Sequence, residues 1–193
     1  MFPLDAALSG HLVATVIDVL LVDAGYQVIP LGIERVVREL RNADAERFRA
    51  IAPLRLRSMP DFFVIDPDNP QGWLTEVKFR RYLHSNLVDD IRNAQEHWAP
   101  FHLVLAVAEA PDEWTGTVKH LRAFRIEPDA RLSRGFFTSR GERIQDVFTR
   151  LTPKWPDATI QQAQDVILRI AAESRPNGAE YPRLDIDPSA STL

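Results

Sequence analysis

Two acids and one amine, close together in the chain, are the side chains best suited to chemistry. Asp61 follows Pro60 at the start of an apolar run, and Glu76-Val77-Lys78 ends the next such run fifteen residues later. Alternate side chains of a strand share a face, so we expect Glu76 and Lys78 to point together while Val77 points into the core. If the two runs pair as a hairpin, the Asp61 carboxylate lies beside that of Glu76.

Such a group of oxygen atoms is what a hard divalent cation prefers. Mg²⁺ usually takes one or two carboxylates together with water and substrate phosphate, and we expect the Val77 carbonyl to lie close enough to be a further ligand. A bound ion lowers the pKa of coordinated water and neutralises a departing oxygen, while a neighbouring lysine stabilises the charge that develops. The alternative is a solvated strand face with a cross-strand ion pair.

The identity of the cation favours the catalytic interpretation. Lysine occurs only at Lys78, Lys119 and Lys154, and the other 20 of the 23 basic residues are arginines. Arginine would serve a surface ion pair equally well, whereas a compact ammonium group suits the activation of a water molecule.

Hydrophobic periodicity and turn residues predict the elements that must position these side chains. The predicted core is helix, strand, inserted helix, two strands, helix and strand, at 11–24, 26–29, 31–41, 61–65, 73–79, 86–98 and 101–107. The nearly all-apolar run at 101–107 predicts a strand buried on both faces. A C-terminal extension adds predicted strands at 121–126 and 136–137 and predicted helices at 142–151 and 158–173.

These elements predict one α/β domain over 1–173, with its core at 11–108 and the extension at 109–173. Residues 174–193 contain three prolines and little apolar material, which is typical of a mobile tail. The chain has no cysteine, so thiolate metal sites and disulfides are excluded. No apolar run reaches the ~18–20 residues that cross a bilayer, and we expect a cytoplasmic protein with no membrane partner.

The pattern resembles the PD-(D/E)XK phosphodiesterase superfamily, which includes restriction enzymes, Holliday-junction resolvases and DNA-repair nucleases. Its common core of a helix, three strands, a helix and a further strand (αβββαβ) matches the predicted order over 11–108. The resemblance implies a restriction-endonuclease-like mixed sheet flanked by helices. It also implies hydrolysis of phosphodiester bonds in DNA, or in RNA, by a water activated by Mg²⁺ or Mn²⁺.

The resemblance also implies roles for individual residues. Asp61 and Glu76 would be metal ligands and Lys78 the catalytic lysine. Many members place a glutamine or a basic residue on the helix after the motif, a position that Gln95 fits here, although an ordinary boundary glutamine is the alternative.

The chain departs from the family in its first helix, which lacks the glutamate that completes the metal site in many members. Glu34 is the preferred substitute, because Gly32 lets the backbone approach closely there, and Asp18 is the second candidate. Both could instead be surface acids. The alternative function is therefore a catalytically inactive module of this fold, which binds or assembles with other molecules.

A basic segment follows the motif directly. Arg80, Arg81 and Tyr82 could hold phosphates and stack on a base, and the alternative is a solvated loop before the next helix. The formal net charge of −4 argues against binding nucleic acid through overall charge, so such a local surface would be needed. The expected partners are nucleic acid, with DNA before RNA, and a second copy of the chain or a partner subunit.

Overall fold

A computed structural model describes residues 4–31, 54–83, 85–154 and 157–173. The elements, in chain order, are α1 (Leu4–Asp23), β1 (Gln27–Pro30), α2 (Leu54–Arg57), β2 (Phe62–Asp66), β3 (Asn69–Arg80), α3 (Ser85–Trp98), β4 (Phe101–Val107), β5 (Leu121–Ile126), α4 (Arg134–Ser139), α5 (Ile144–Val147), α6 (Leu151–Lys154) and α7 (Asp157–Glu173). This is an α/β arrangement, and the predicted core order of helix, three strands, helix and strand is confirmed.

The strands form one open, mixed sheet in the order β1-β2-β3-β4-β5. Only β3 and β4 are parallel, and the other neighbours are antiparallel. The predicted hairpin is confirmed, but its turn is tighter than 66–72. Asp66 pairs with Asn69, and the Asp66 carboxylate accepts a hydrogen bond from the backbone nitrogen of Asp68 (3.0 Å). This side-chain turn lets β3 begin four residues before the predicted strand.

The sheet separates two hydrophobic cores. One face packs against α1 and α7 and buries alternate strand residues, among them Val64, Val77, Val104 and Ala106. The other face packs against α3 and buries Phe101, Leu103, Leu105 and Val107. All seven residues of β4 are buried, so the prediction of a strand covered on both faces is confirmed.

The C-terminus of α1 shows why that helix ends where it does. Gly25 has a φ of +93°, a conformation that glycine adopts without steric cost. The backbone nitrogen of Gly25 donates to the Val22 carbonyl and that of Tyr26 to the Leu21 carbonyl, each at 3.0 Å. These two hydrogen bonds form the Schellman motif, which ends the helix at Gly25.

The C-terminal extension differs from its prediction in two places. The strand predicted at 136–137 is wrong, because these residues lie in α4, whose first turn is capped by the Ser133 hydroxyl accepting from the Phe136 backbone nitrogen (3.1 Å). The helix predicted at 142–151 is divided into α5 and α6. The predictions for 32–41 and for the tail at 174–193 lie outside the described residues. No helix in the described part of the chain is long and apolar enough to cross a membrane.

Candidate metal site

The β2–β3 hairpin brings Asp61 to the Glu76–Lys78 segment. Phe62 pairs with Thr75, so Asp61, one residue earlier, lies opposite Glu76. Directly opposed residues of antiparallel strands have Cβ atoms ~5 Å apart. The Asp61 carboxylate also accepts a hydrogen bond from the Val77 backbone nitrogen (Oδ2 to N, 2.8 Å). The Asp61 carboxylate thus accepts the hydrogen bond that a backbone carbonyl of the paired strand would otherwise accept from Val77.

The same hydrogen bond indicates where the Val77 carbonyl points. In a strand, the N–H and C=O groups of one residue face the same neighbouring strand. Since the Val77 N–H faces Asp61, its carbonyl oxygen is directed to that side too. The Val77 side chain is buried in the core beneath α1, as predicted.

Glu76 projects from the opposite face of β3 and is buried, with 5% of its surface exposed. Its Oε1 forms an ion pair with Nζ of Lys78, whose side chain is 30% exposed. Its Oε2 is buried and has no hydrogen-bond partner within the described residues. Leaving a carboxylate oxygen in this state is costly, and such exceptions in folded proteins often mark a bound ion or a reactive group. A solvated strand face therefore does not describe Glu76.

The electrostatics of the pair follow from this burial. Burial raises the pKa of Glu76 to about 7, and the nearby Asp61 carboxylate adds to the rise while the Lys78 ammonium opposes it. Burial alone would lower the pKa of Lys78, but the Glu76 and Asp61 carboxylates outweigh that effect and the net shift is upward. Lys78 is therefore a cation at neutral pH, while Glu76 exchanges its proton there.

Of the two predicted third acids, Asp18 does not lie beside this pair, and Glu34 is not among the residues that the structure describes. Asp18 lies on α1, which packs against the other face of the sheet. Within the described ranges, no three His, Asp or Glu side chains are grouped as an ion would require. Asp61, Glu76 and the Val77 carbonyl are thus the oxygen groups that the structure brings together.

Gln95 is hydrogen-bonded to the backbone that follows β5. Its side-chain nitrogen donates to the backbone carbonyls of Glu127 (2.7 Å) and Ala130 (2.9 Å). These contacts hold the loop that follows β5 against α3. The structure thus gives Gln95 an anchoring contact, and its catalytic role stays a prediction.

Both arginines of the basic segment form ion pairs that the sequence did not predict. Arg80 forms an ion pair with Asp90 (2.5 Å) and Arg81 with Glu109 (3.0 Å). Tyr82 is 43% exposed. Since both guanidinium groups already face carboxylates, the local positive charge is smaller than the sequence suggests, and a phosphate would have to compete for them.

A cavity of about 300 Å³ lies near the other end of β3, and sequence reasoning missed it. We call it the aromatic pocket, and its lining includes Phe63, Trp73, Trp98, Phe101, His102 and Arg125. These residues come from four strands and one helix, so no local sequence pattern groups them. His102 is buried with its ring against Trp73 and Phe148, and its Nδ1 has no hydrogen-bond partner in the described part of the chain.

Comparisons with known proteins give no match: neither protein-family models, nor curated proteins, nor solved structures resemble this chain significantly.

Proposed function

We propose that the chain is a metal-dependent nuclease whose reaction centre consists of Asp61, Glu76 and Lys78. The observation that carries the proposal is the buried Glu76 carboxylate, which lies opposite Asp61, is paired with Lys78 and keeps one oxygen without a partner in the described part of the chain. A purely structural ion pair does not need a second acid beside it, whereas Mg²⁺ is usually bound through one or two carboxylates.

The donor set fits Mg²⁺ or Mn²⁺. Two carboxylates and a backbone carbonyl are hard oxygen ligands, the type that both ions select. We infer that Asp61, Glu76 and the Val77 carbonyl would hold the ion, and that the open Oε2 of Glu76 is the atom that ion would satisfy. A bound ion would lower the pKa of a coordinated water and neutralise charge on the leaving oxygen.

The chain's own residues supply the rest of the chemistry. Because the pKa of Lys78 is raised, its ammonium group remains protonated at neutral pH and acts as a hydrogen-bond donor and positive charge, not as a proton acceptor. Its partly exposed position lets it face substrate while its stem stays on the strand. An ammonium fixed beside a phosphate stabilises the negative charge that builds up on that group during hydrolysis.

The order of elements supports the same function. Helix, three strands, helix and a further strand, with the acids on the β2–β3 hairpin, is the order that the resemblance to PD-(D/E)XK nucleases implies. We therefore propose a restriction-endonuclease-like core, with DNA as the first substrate to test and RNA as the second.

A second candidate is an inactive module of the same fold. It is favoured by the ion pairs at Arg80 and Arg81, which engage the cations that would hold phosphates. It is also favoured by the absence, within the described residues, of a third acid near Asp61 and Glu76. Such a module would bind a partner through its surface without cutting nucleic acid.

Cleavage of labelled single-stranded and duplex DNA and RNA, with Mg²⁺ or Mn²⁺, separates the two candidates. We expect the wild type to cut and Lys78→Ala to be at least about a hundredfold slower, since removing one preorganised charge at a reaction centre costs about that much. Lys119→Ala is the matched control, because Lys119 is an exposed lysine outside the site. Equal cleavage by all three proteins would rule out the mechanism, and no cleavage by the wild type would favour the inactive module.

A further inference from the structure

Strand β3 carries a row of charged side chains on the face that α3 covers. Glu76, Lys78 and Arg80 alternate along the strand, so their side chains share one face. Their register partners in β4 are all buried on the side of α3, namely Leu103, Leu105 and Val107. The side chains of Lys78 and Arg80 are 30% and 24% exposed. The positive charge of β3 therefore reaches solvent on the same face as the Glu76 carboxylate.

Arg80 is held in this row by an acid of α3. One terminal nitrogen of its guanidinium donates to Oδ2 of Asp90 (2.5 Å), and the other donates to the Phe79 carbonyl (2.9 Å). The Asp90 side chain is 50% exposed. Ion pairs that are this open to solvent are weak. Another oxyanion can therefore replace the Asp90 carboxylate at low cost.

The position and chemistry of Arg80 suit a phosphate. Same-face residues of a strand repeat every ~6.6 Å, which is close to the distance between successive phosphates of an extended nucleic-acid strand. If Lys78 faces the scissile phosphate, Arg80 lies where the neighbouring phosphate passes. A guanidinium binds phosphate with the same paired hydrogen bonds that it makes to a carboxylate. Asp90 thus occupies the group that this phosphate would use.

We propose that Arg80 binds the substrate phosphate next to the scissile one, and that Asp90 competes with that phosphate for the guanidinium. The inference rests on the proposed nuclease function. Because Asp90 stays attached to α3 after it is displaced, its carboxylate also repels the incoming phosphate. The ion pair is therefore an autoinhibitory contact, which lowers the affinity of the chain for nucleic acid.

The alternative is an ion pair that only fastens α3 to the sheet, and the two roles predict different results for Asp90→Asn. A fastening pair predicts a less stable variant whose affinity for nucleic acid is unchanged or lower. A competing carboxylate predicts a variant that binds nucleic acid more tightly. The variant should fold, because α3 is held to the sheet by its buried apolar residues, Leu87, Ile91 and Ala94.

The test measures binding of the full chain to short labelled DNA and RNA, single-stranded and duplex, by fluorescence anisotropy in metal-free buffer. Asp89→Asn is the matched control, because Asp89 is the adjacent acid of α3 but pairs with Arg92 of its own helix (2.9 Å). Each variant loses one negative charge, so the general attraction of nucleic acid rises equally. We expect Asp90→Asn to bind about two- to fivefold more tightly than Asp89→Asn, the strength of one exposed ion pair.

Removing the cation tests the phosphate contact itself. Arg80→Gln should weaken binding by about threefold or more, and it should make the slope of log affinity against log salt shallower by about one, the loss of one phosphate contact. In the Arg80→Gln background, Asp90→Asn should change the affinity no more than Asp89→Asn does. In cleavage assays with Mg²⁺, the KM of Asp90→Asn should be lower than that of Asp89→Asn.

The outcomes separate this inference from the nuclease proposal. Equal affinities of Asp90→Asn and Asp89→Asn would overturn the competition, even where cleavage depends on Lys78. An unchanged salt slope in Arg80→Gln would overturn the phosphate contact. Tighter binding by Asp90→Asn, with no cleavage by the wild type, would support phosphate binding at Arg80 and overturn the nuclease. Failure to bind any of these strands would overturn both proposals.

Discussion

Glu76 and His102 lie on opposite faces of the sheet, and each is a buried ionisable side chain with an unpartnered atom, Oε2 and Nδ1 respectively, as far as the described residues show. Burial disfavours the charged form of both groups, so it raises the pKa of Glu76 to about 7 and lowers that of His102 to about 4. The difference lies in their neighbours. Glu76 faces a cation and a second acid, whereas His102 packs against the rings of Trp73 and Phe148.

This difference separates two kinds of buried polar group. A neutral histidine among rings needs no further charge to remain in place. A carboxylate whose pKa is about 7, beside an ammonium and another carboxylate, is stabilised as an anion when more positive charge arrives. The first environment therefore calls for no ion, and the second predicts a cation.

The largest effect is expected on Mn²⁺ binding, measured by calorimetry. Protons compete with the metal for Glu76, so affinity should be constant above pH 7 and fall about tenfold for each pH unit below it, or about a hundredfold at pH 5. Glu76→Gln should lose at least about a hundredfold in affinity at pH 8, and with it most of the pH dependence. Glu96→Gln, an exposed residue of α3, is the control.

Unfolding of the Glu76 variant would be the simplest other explanation of lost binding, and the raised pKa of Glu76 predicts that the variant stays folded. The folded-state pKa of Glu76 lies above its ordinary value of 4.5, so its stability contribution is present at low pH and is lost as pH rises through about 7. Glutamine imitates the protonated form. Glu76→Gln should therefore be at least as stable as the wild type at pH 8, and a clear loss of stability there would contradict the electrostatic account of the site.

The next largest effect is expected on the stability of the fold at acid pH, through the titration of His102. Its folded-state pKa lies below its ordinary value of 6.5, so the neutral form stabilises the fold above that pH, and this contribution is lost as pH falls towards 4. Between pH 6.5 and 5 the wild type should lose about 2 kcal/mol through His102. Urea denaturation should show a smaller acid loss for His102→Phe, which keeps a ring. His11→Gln, at an exposed histidine of α1, should not change the curve.

What the sequence could predict depended on how local the determining interactions are. The hairpin was predictable because turn residues and alternating strand residues lie within 20 positions, and it places Asp61 opposite Glu76. The helix at Phe136 was missed because two adjacent aromatic residues are typical of a strand, while the Ser133 cap that starts the helix is a single side chain.

The remaining features depend on partners that are distant in the chain. Arg81 pairs with an acid 28 residues away, and the pocket joins residues from Phe63 to Arg125. The spacing of residues along the sequence does not predict contacts between residues this far apart. The sequence shows which chemistry a side chain could perform. Whether that side chain is already engaged by another residue depends on the tertiary structure.

The smallest effect on activity is expected from substitution of Gln95. This variant tests whether the reaction centre is limited to Asp61, Glu76 and Lys78. Its amide donates to two backbone carbonyls after β5, so Gln95→Ala should cost about 1 kcal/mol of unfolding free energy. Nuclease activity at saturating substrate should stay within about threefold of the wild type, because no reacting group is touched. A hundredfold loss without a change in stability would instead extend the reaction centre to α3.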